Sequence, residues 1–396
     1  MGRRIELAPL WSLAELNNTP RPPQGELVSL DRIEGGTGRL HDEKSSFTAE
    51  GRAFETGDVL FGKLRPYLAK YWLADKDGTA QGDIHIYHPS DETEPRFLAY
   101  IVGSNEFIRL ADAASTGTKM PRVEWSKVAQ FQVPAPPLPT QRAIADYLDR
   151  ETAEIDGMRA DLDEMERLLE ERRVSLIQRH VLPETGTYTR IKLVADVSLG
   201  KTVQKTQKDA SEVLRNYVRA AHIQPHGRLV VDDQPMWFTP NELKQLTLEA
   251  GDVLVVEGGA GYGRSVYLRE ELPGWGFQNH VIRVRPWDGA SGRFIDYTFR
   301  AHYGAGLIDI LADGATIPGL SSDKARELPI LNVSYAEQRR IADEIDRETA
   351  EIESMLEDIT KLRDLLAERR AAVISAAVTG QVDIPVSPIH KDEPHA

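Results

Sequence analysis

Residues 141–155 read QRAIADYLDRETAEI, and residues 338–352 repeat them as QRRIADEIDRETAEI. The match continues at a fixed offset of 197 residues, so that 140–182 align without a gap on 337–379. Solenoid and propeller repeats have periods of roughly 20–50 residues, so a period of half the chain indicates a duplicated domain together with its connector. The sequence therefore predicts two related halves.

The bulk composition is that of a protein with ordinary apolar cores. The chain has 396 residues, of which 41% are hydrophobic, enough for about two or three domains. It contains no cysteine, which excludes disulfide bonds and thiolate metal sites. The first residues lack the apolar stretch of a secretion signal, and no apolar run of roughly 18 residues occurs, so we expect a cytoplasmic protein with no membrane partner.

The net charge of −14 is unevenly distributed along the chain. Residues 1–139 carry 16 Lys and Arg against 19 Asp and Glu, and residues 183–334 carry 17 against 18. Residues 140–182 carry 7 against 11, and residues 335–396 carry 8 against 14. Because the negative surplus lies mainly outside the two nearly neutral regions, each of those regions can still concentrate bases on one face. The acidic total therefore does not exclude a nucleic-acid partner.

A proline-rich segment precedes the first repeated stretch and predicts where its helix begins. Residues 133–139 read VPAPPLP, which cannot be helical because proline lacks a backbone donor and disfavours helix in the preceding residue. Thr140 is a suitable N-cap, and no further proline occurs before Pro183. An interval of about 43 residues predicts a helix roughly 64 Å long.

Apolar residues recur every seven positions along both repeated stretches, a pattern typical of a coiled coil. The predicted core residues are Leu148, Ile155, Met158, Leu162, Met165 and Leu169 in the first stretch, and Ile345, Ile352, Met355, Ile359, Leu362 and Leu366 in the second. The first helix leads from one domain into the next, so a second helix that pairs with it must run back, which predicts an antiparallel pair with approximate two-fold symmetry. The alternative is two long helices that each lie on their own domain.

We therefore expect an α+β protein in which two globular α/β domains are separated by an antiparallel coiled coil of two long helices, as a pseudo-two-fold repeat. The predicted segments are domain 1 (1–139), helix 1 (140–182), domain 2 (183–334), helix 2 (335–380) and a tail (381–396), which we expect to be disordered from Pro385 onward. Within the domains we expect strands at 84–88, 128–133, 264–268 and 280–285, and short helices at 95–103, 104–112 and 293–303.

Two shorter motifs extend the duplication into the domains. The run Gly57-Asp58-Val59-Leu60 matches Gly251-Asp252-Val253-Leu254, and each predicts a turn, a short strand and then a polar or glycine-rich loop. Residues 115–121 match residues 312–318 at the offset of 197. Elsewhere the halves differ widely, as expected of one scaffold that carries two different ligand-binding surfaces.

A search for catalytic motifs finds no active site. Residues 259–263 read GAGYG but lack the spacing of a dinucleotide-binding loop, and residues 200–202 lack the first glycine of a phosphate-binding loop. The ten histidines form no His-Glu-x-x-His pair, and no carboxylates stand at metal-ligand spacing, so we expect no metal site. The Asn/Asp-Pro-Pro-Tyr/Phe segment of amino-methyltransferases does not occur. We expect a non-catalytic chain without a cofactor of its own.

Several loops instead carry side chains suited to DNA. Residues 63–70, KLRPYLAK, place three cations and an aromatic ring directly after a predicted strand, and Arg or Lys can pair with guanine or with phosphate. In the second half a glycine-rich loop at 258–263 permits close backbone approach. The candidate DNA-binding residues are Lys63, Arg65, Tyr67, Lys70, Thr116, Thr118 and Lys119 in the first half, and Arg219, His222, Gln224, Tyr262, Arg264, Asn279 and His280 in the second. For each residue taken singly, a solvated surface side chain is the alternative.

Together these features resemble the specificity subunit of type I restriction-modification systems. The resemblance rests on the repeated helix that begins Gln-Arg-x-Ile-Ala at Gln141 and Gln338, and on the Gly-Asp-Val-Leu run in each domain. The segments 63–68 and 115–118 are also familiar in target-recognition domains of this family. The resemblance covers residues 5–385, and the combination is specific although each short motif alone is not.

The resemblance implies a subunit that does no chemistry itself. Each target-recognition domain would read one half of a split site in double-stranded DNA, and the antiparallel helices would fix the gap between the halves. It further implies two methyltransferase (modification) subunits that dock on the helices, bind S-adenosylmethionine and methylate adenine N6. Restriction/translocase subunits, with Mg-ATP, would join them to translocate and cleave DNA.

Two other functions remain open from the sequence. A coiled-coil protein-protein scaffold with two binding domains would show little DNA affinity and no salt dependence, whereas a DNA-specificity subunit loses affinity as salt rises. A stand-alone nucleic-acid enzyme would need a catalytic cluster, which the sequence does not reveal.

Overall fold

The computed structural model describes residues 5–41, 47–259, 261–312 and 319–385. The chain divides into two units: unit 1 holds Met1–Leu162 and Thr360–Ala396, and unit 2 holds Asp163–Ile359. This division cuts across both long helices, so each unit combines one globular part with one end of each helix. The segments expected from the sequence divide the chain by element type, whereas the units group the elements that pack together.

Unit 1 contains ten strands among its described residues. They are β1 (Leu7–Pro9), β2 (Ala14–Leu16), β3 (Pro20–Arg21), β4 (Glu26–Val28), β5 (Gly51–Phe54), β6 (Val59–Gly62), β7 (Tyr71–Leu73), β8 (Gly78–Ala80), β9 (Ile84–Pro89) and β10 (Gln132–Pro134). Its helices are α1 (Pro95–Val102), α2 (Asn105–Ala113), α3 (Trp125–Val128), the first part of α4 (Leu138–Val181) and the last part of the second long helix.

Two four-stranded sheets form the globular part of unit 1. One has the antiparallel order β2-β9-β6-β7, and the other has the order β3-β5-β8-β4 with β4 and β8 parallel. Because consecutive side chains of a strand point to opposite faces, β6 contributes to two apolar clusters. Leu60 packs in one cluster with Phe54, and Phe61 packs in the other with Phe107. Burial on both faces explains why this strand is a continuous apolar run.

Unit 2 contains eleven strands among its described residues. They are β11 (Tyr188–Arg190), β12 (Ala195–Leu199), β13 (Val213–Val218), β14 (Ile223–Gln224), β15 (Arg228–Leu229), β16 (Pro235–Phe238), β17 (Val253–Val256), β18 (Ser265–Tyr267), β19 (Gly276–Phe277), β20 (Val281–Pro286) and β21 (Pro329–Leu331). Its helices are the last part of α4, α5 (Pro240–Gln245), α6 (Gly292–Gly304), α7 (Leu307–Ala312), α8 (Ser322–Glu327) and the first part of α9 (Tyr335–Val378).

The main sheet of unit 2 repeats that of unit 1. Its order is β12-β20-β17-β18, which places equivalent strands in the same positions as β2-β9-β6-β7. A short two-stranded sheet also stands beside the long helices in each unit, β1-β10 in unit 1 and β11-β21 in unit 2. The second sheet differs, because unit 2 has three strands in the order β16-β13-β19 where unit 1 has four. The duplication is therefore preserved in the main sheet and in the two-stranded sheet of each unit, and it is lost in the second sheet.

The two long helices have 44 residues each, or about 66 Å at 1.5 Å per residue. The first begins at Leu138, two residues before the expected start, so Thr140 is not its N-cap. Pro139 lies in the first turn, where proline is tolerated because its missing donor would have no helical partner. The prediction of an α+β fold with two matched long helices is confirmed.

Within each unit the two helices run antiparallel. In unit 2, Arg173 of α4 contacts Glu353 of α9 at 2.7 Å, and further along α4, His180 contacts the earlier residue Glu348 at 3.3 Å. In unit 1, Asp156 of α4 contacts Arg370 of α9 at 3.0 Å. Leu148 lies in one cluster with Ile374 and Val378, near the end of α9.

The helix core is narrower than the sequence predicts. Six of the predicted core residues are buried, namely Leu148, Ile155, Leu169, Ile345, Ile352 and Ile359. Met158, Leu162 and Leu366 are only half-buried. Three other predicted core residues are about half exposed, namely Met165 (51%), Met355 (49%) and Leu362 (47%). The prediction that these three are core residues is wrong, because only one apolar track, not two, faces the partner helix.

Most local predictions agree with the structure to within one or two residues. The exception is 128–133, expected to be a strand, where α3 ends at Val128 and β10 begins only at Gln132. The predicted match at 312–318 and most of the predicted disordered tail lie outside the described residues, which end at Pro385. Ile384, which precedes the predicted disordered residues, packs on the core of unit 1. In the part of the chain that is described, no helix is both long and apolar enough for a membrane span.

Candidate nucleic-acid interface

The same hydrogen bonds join each globular part to the long helices. The side-chain carbonyl of Gln141 accepts from the backbone N–H of Glu94 at 2.9 Å, and its amide donates to the carbonyl five residues earlier at 2.9 Å. Gln338 accepts from the backbone N–H of Ser291 at 2.9 Å and donates to the carbonyl five residues earlier at 3.1 Å. Both glutamines are buried. The Gln of the repeated Gln-Arg motif therefore fixes the start of α1 or α6 on the long helix.

A second repeated contact lies about two turns further along the long helix. Asp149 of α4 accepts hydrogen bonds from Arg96 (2.6 Å) and Tyr100 (2.7 Å) of α1. The three residues that make the same contacts in unit 2, 197 positions later, are Asp346, Arg293 and Tyr297. Burial raises the pKa of both tyrosines, so each hydroxyl remains a donor to its carboxylate. The short helices α1 and α6 are thus each held on a long helix at two points.

The Gly-Asp-Val-Leu run is a structural turn in both units. Gly57 and Gly251 have φ values of +95° and +100°, a region that favours glycine. Asp58 and Asp252 are 1% exposed, and each accepts from the backbone N–H three residues earlier, at 2.9 and 2.8 Å. The motif positions the strand that leads to each candidate loop, and its own side chains do not reach the surface.

In unit 1 the basic segment after β6 forms a strained surface turn. Arg65 and Ala69 adopt left-handed φ values of 52° and 50°, on either side of a 3-10 turn at Pro66–Leu68. Left-handed conformation is uncommon outside glycine and persists where the surroundings enforce it. The turn leaves Tyr67 53% exposed and Leu68 42% exposed, and Arg65 is also exposed. It therefore projects a cation and an aromatic ring into solvent.

A second loop supports this turn. The backbone N–H of Arg65 donates to the carbonyl of Pro121 at 2.8 Å, and Thr116 pairs with Arg122 through two backbone hydrogen bonds of 2.8 and 2.9 Å. The exposed residues of this loop include Thr116, Thr118 and Lys119. The structure thus brings together two segments that the sequence singled out separately. We call the turn and loop, residues 65–68 and 116–119, the unit 1 surface.

Two of the predicted cations point elsewhere. Lys70 donates from Nζ to the carbonyl of Leu30 at 2.5 Å, so its ammonium group is tied to the fold. Lys63 is half-buried, beside His85. Burial, with a further contribution from Lys63 and Arg52, lowers the pKa of His85 to about 3. His85 is therefore neutral at physiological pH beneath the unit 1 surface.

Sequence reasoning missed Arg122. This side chain lies between the turn and the loop of the unit 1 surface and makes an ion pair with Asp83 at 2.9 Å. The hydrogen bond that Arg122 donates to the Asp83 carboxylate raises the pKa of Arg122. The only sequence signal that could have pointed to Arg122 was its position two residues after the mixed polar segment 116–120.

In unit 2 the candidate residues surround the glycine-rich loop between β17 and β18. Tyr262 donates its hydroxyl to Asp309 of α7, and this hydrogen bond raises the pKa of the Tyr262 hydroxyl. Arg264 is half-buried at the start of β18, where its backbone N–H donates to Gly261 at 3.1 Å. The described residues of this loop therefore carry a hydroxyl and a guanidinium at the rim of a small backbone turn.

Two more candidates lie beside the same loop. Exposed His280 approaches Glu257, the residue after β17, with 3.3 Å between Nδ1 and the carboxylate. Asn279 donates its backbone N–H to the carbonyl of Lys201 at 2.9 Å. Lys201 itself pairs with Glu242 at 2.6 Å and is largely covered. We call the four residues Tyr262, Arg264, Asn279 and His280 the unit 2 surface.

The remaining group, Arg219, His222 and Gln224, makes local side-chain contacts, and of the three only His222 is buried. His222 is 2% exposed and contacts Asp232 through Nε2 at 2.6 Å. Burial lowers the pKa of His222 despite the opposing carboxylate. Arg219 pairs with the same Asp232 at 2.7 Å, and Gln224 donates to the carbonyl of Ala221 at 2.6 Å. The prediction that His222 contacts DNA is wrong, since its ring is enclosed by the fold.

The two surfaces offer the same class of chemistry with different residues. Side-chain N–H and O–H donors can bind phosphate oxygens, and Arg and Asn can also read base edges in the major groove. The unit 1 surface presents these groups on a strained, protruding turn, whereas the unit 2 surface presents them around glycines. Neither surface is a copy of the other.

Comparison with known proteins agrees with this arrangement. The family described as the type I restriction modification DNA specificity domain matches residues 38–167. The EcoDI specificity subunit of Escherichia coli is 29% identical over 121 residues, which cover 30% of this chain and 27% of that protein. A putative type I restriction enzyme specificity subunit of Haemophilus influenzae is 23% identical over 390 residues, with 93% of this chain and 92% of that protein covered.

Two solved structures share the fold. A chain from a study of complex assembly and conformational transition of the type I R-M system superimposes with a TM-score of 0.73, covering 96% of this chain and 98% of that one. The HsdS subunit from Thermoanaerobacter tengcongensis gives a TM-score of 0.51, covering 95% and 97%. Both are 17% identical to this chain. With the duplicated helices, the matching fold and the matching relatives, the chain is similar to the specificity subunits of type I restriction-modification systems.

Proposed function

We propose that the chain reads a split site in double-stranded DNA, with the globular part of each unit recognising one half. The observation that carries this proposal is the contrast between the repeated attachment to the helices and the unlike surface loops. Identical attachment holds both globular parts on the helices in the same way, and unlike loops suit two different half-site sequences. Most contacts would position the DNA through phosphate, and a few would read bases.

We assign base and phosphate contacts to the two surfaces. In unit 1 the residues are Arg65, Tyr67, Thr116, Thr118 and Lys119, and in unit 2 they are Tyr262, Arg264, Asn279 and His280. Arg65 is the strongest candidate for a base contact, because it is exposed on a turn whose backbone is fixed on both sides. A bidentate arginine–guanine pair contributes about 1–3 kcal/mol of discrimination.

The long helices set the gap between the two half-sites. Paired helices resist bending, and each additional base pair of gap changes both the rise and the rotation between half-sites. Burial of one apolar track along both helices supports a fixed pairing register. The gap that the protein prefers should therefore depend on helix length.

Methyl transfer and DNA cleavage are carried out by partner subunits. The relatives are named specificity subunits, and one solved relative comes from a study of type I complex assembly. Two methyltransferase subunits would dock on the helices and bring S-adenosylmethionine, and restriction subunits would bring Mg-ATP. The purified chain with S-adenosylmethionine alone should show no methylation, whereas the co-expressed complex should methylate adenine.

The central experiment tests the unit 1 surface by substitution of Arg65. The chain is co-expressed with its methyltransferase subunit, and N6-methyladenine is mapped by sequencing. In Arg65→Ala we expect relaxed sequence preference in one half-site, by about tenfold or more for the affected base, because a bidentate contact is lost. The other half-site should be unchanged.

The matched control is Arg109→Ala. Arg109 is equally exposed in unit 1 but lies on α2 in a pair with Glu106. It should leave both half-sites unaltered. Methylation patterns that are the same in the Arg65 variant and the parent would remove Arg65 from the interface, and relaxation of both half-sites together would argue against one half-site per unit.

A second experiment tests the gap. Because α4 and α9 run antiparallel in each unit, a later residue of α4 faces an earlier residue of α9, as in the pairs 156–370 and 173–353. Deleting residues 161–167 and 359–365 together removes one heptad from matched positions, about 10 Å of helix, equivalent to about three base pairs. We expect the preferred gap to change while the half-site sequences stay the same.

Deletion of residues 161–167 alone is the control, because it breaks the pairing register and should abolish methylation. An unchanged gap in the double deletion would refute the role of the helices in spacing. Binding that does not weaken as salt rises would instead favour a protein-binding scaffold.

A further inference from the structure

Three potential metal ligands meet between the long helices in unit 2. His180 lies near the end of α4, and Glu344 and Glu348 lie one turn apart on α9. One ligand atom from each residue lies within 4.8 Å of the other two. All three are partly buried, so the atoms meet in the groove between the helices and not at the tips of freely solvated chains.

The distances suit a shared cation. The His180 Nε2 atom is 3.3 Å from Glu348 Oε1, and Nδ1 is 3.9 Å from Glu344 Oε2. Ligands that lie about 2.0–2.2 Å from a tetrahedral Zn²⁺ are separated from each other by about 3.4 Å. The 3.3 Å contact of Glu348 already matches this spacing, whereas Glu344 faces the other ring nitrogen and must turn to share one ion. One ligand atom of each residue lies within 4.8 Å of the other two, so this change is a local side-chain rearrangement.

Neighbouring arginines contact both ligand carboxylates. Arg179 contacts Glu348 through the other carboxylate oxygen, at 3.1 Å, and Arg340 contacts Glu344 through the same Oε2 atom that faces His180, at 2.9 Å. Both arginine side chains are mostly exposed, at 69% and 59%. They can turn into solvent when a cation replaces their charge, because exposed ion pairs are only weakly held.

The other half of the molecule shows that this cluster is not needed to pair the helices. The positions equivalent by the offset of 197 are Ala377 for His180, Tyr147 for Glu344 and Glu151 for Glu348. In unit 1 the buried Ala377 packs in the apolar core with Leu148. Only one half therefore carries the ligand set.

We propose that His180, Glu344 and Glu348 form a site for a divalent cation of the Zn²⁺ class, which clamps α4 to α9 in unit 2. One imidazole and two carboxylates suit Zn²⁺, Co²⁺ or Ni²⁺ better than Mg²⁺, which prefers oxygen ligands and retains its waters. Water completes the coordination. Motif searches do not find the site because its ligands come from segments more than 160 residues apart.

The test uses the full-length chain, freed of any purification tag and washed with chelator. Calorimetric titration with ZnCl₂ should show one saturable site, and CoCl₂ should give visible absorption of bound Co²⁺. The background carries His390→Ala and His395→Ala, so that the two C-terminal histidines do not contribute ligands. In His180→Ala and in Glu348→Gln, Zn²⁺ affinity should fall at least about tenfold, as loss of a ligand interaction typically causes.

The matched control is Glu151→Gln, which changes the equivalent carboxylate in unit 1 and should bind Zn²⁺ like the background. Thermal unfolding gives a second measurement, because a ligand that binds only the folded state raises Tm with its concentration. His180→Ala copies the alanine of the other half, and its melting should not respond to Zn²⁺. Absence of saturable Zn²⁺ binding in the background, or equal binding in His180→Ala, would overturn the proposal.

Discussion

The two halves of the chain agree where they meet the long helices and diverge where they face solvent. Gln141 and Gln338 make the same hydrogen bonds, and Asp149 and Asp346 hold the same pair of side chains. By contrast, the strained basic turn at residues 65–68 has no counterpart among the residues of unit 2 that the structure describes. The same physical task, seating a short helix on a long one, has kept one solution in both halves. The surface loops, which would contact two different DNA half-sites, need not be alike in the two halves.

The agreement is incomplete even at the helices. Arg370 and Arg173 are equivalent by the offset, and each pairs with a carboxylate of the opposite helix. In unit 1 both Arg370 and Asp156 are nearly buried, at 9% and 11% exposed side chain. In unit 2 Arg173 is 6% exposed but Glu353 is 54% exposed. Equivalent contacts therefore differ in how much charge is removed from water.

This difference gives the largest expected effect. Arg370→Ala should lower the free energy of unfolding by about 2–3 kcal/mol, because the Thr37 carbonyl loses its donor and the buried Asp156 carboxylate loses one of its two arginine partners, while it keeps Arg39 at 2.8 Å. Arg173→Ala should lower it by only about 1–2 kcal/mol, since Glu353 can be hydrated. Urea unfolding of the two variants measures the comparison.

The control for this pair is Arg369→Ala, which removes a half-exposed side chain beside Arg370. Its effect should stay within about 0.5 kcal/mol. Equal losses in the Arg370 and Arg173 variants would show that burial of the carboxylate does not set the energy of these contacts.

The glutamines should behave alike. Gln141→Leu and Gln338→Leu each remove a buried amide and leave a backbone N–H at the start of α1 or α6 without its acceptor. An unsatisfied buried group costs about 1–3 kcal/mol, so we expect similar losses of about 2 kcal/mol in both halves, measured by urea unfolding. Arg142→Ala, at the exposed neighbouring position, should have little effect. A clear inequality between the two glutamine variants would break the equivalence of the junctions.

The third prediction concerns pH and applies to unit 1 only. His85 is buried with its pKa lowered to about 3, whereas the equivalent position in unit 2 is Ile282. Between pH 6.5 and 3 the unfolded chain binds a proton at His85 that the folded chain does not, so stability is complete above pH 6.5 and is lost as pH falls. At pH 5 the loss is about 2 kcal/mol relative to pH 8.

Comparison with His85→Ile measures this contribution, because the variant carries the unit 2 residue and should lose the corresponding part of the pH dependence. The exposed His41→Gln serves as the control and should follow the parent. If the parent and His85→Ile lose stability in parallel between pH 8 and pH 5, His85 does not titrate as the buried geometry implies.

Periodicity and exact repetition made the fold largely predictable. A match at a fixed offset specifies two halves without any knowledge of their contacts, and long uninterrupted segments bounded by proline specify the helices. The heptad count failed at Met165, Met355 and Leu362 because spacing shows that residues share a face but not how wide the partner's face is. Burial between helices depends on their separation and rotation, which local sequence does not encode.

The candidate surfaces were less predictable. The segment 63–70 was found because cations and an aromatic ring cluster there, but Lys70 is tied to Leu30, a residue 40 positions away. His222 was mistaken for a surface residue because its acceptor, Asp232, lies on a segment whose approach only the fold determines. The cluster of His180 with Glu344 and Glu348 was missed for the same reason. The sequence shows which side chains are present. The tertiary structure determines which of them are already paired within the fold and which stay available to a ligand.

The left-handed backbone at Arg65 limits how the first half can change. Branched side chains such as Val, Ile and Thr are poorly tolerated at positive φ, whereas Gly and Asn accept it readily. Among variants randomised at position 65, branched residues should therefore be rare in the folded protein, independently of any selection for binding. New preferences in this half would arise more easily by replacing the whole turn than by single substitutions within it.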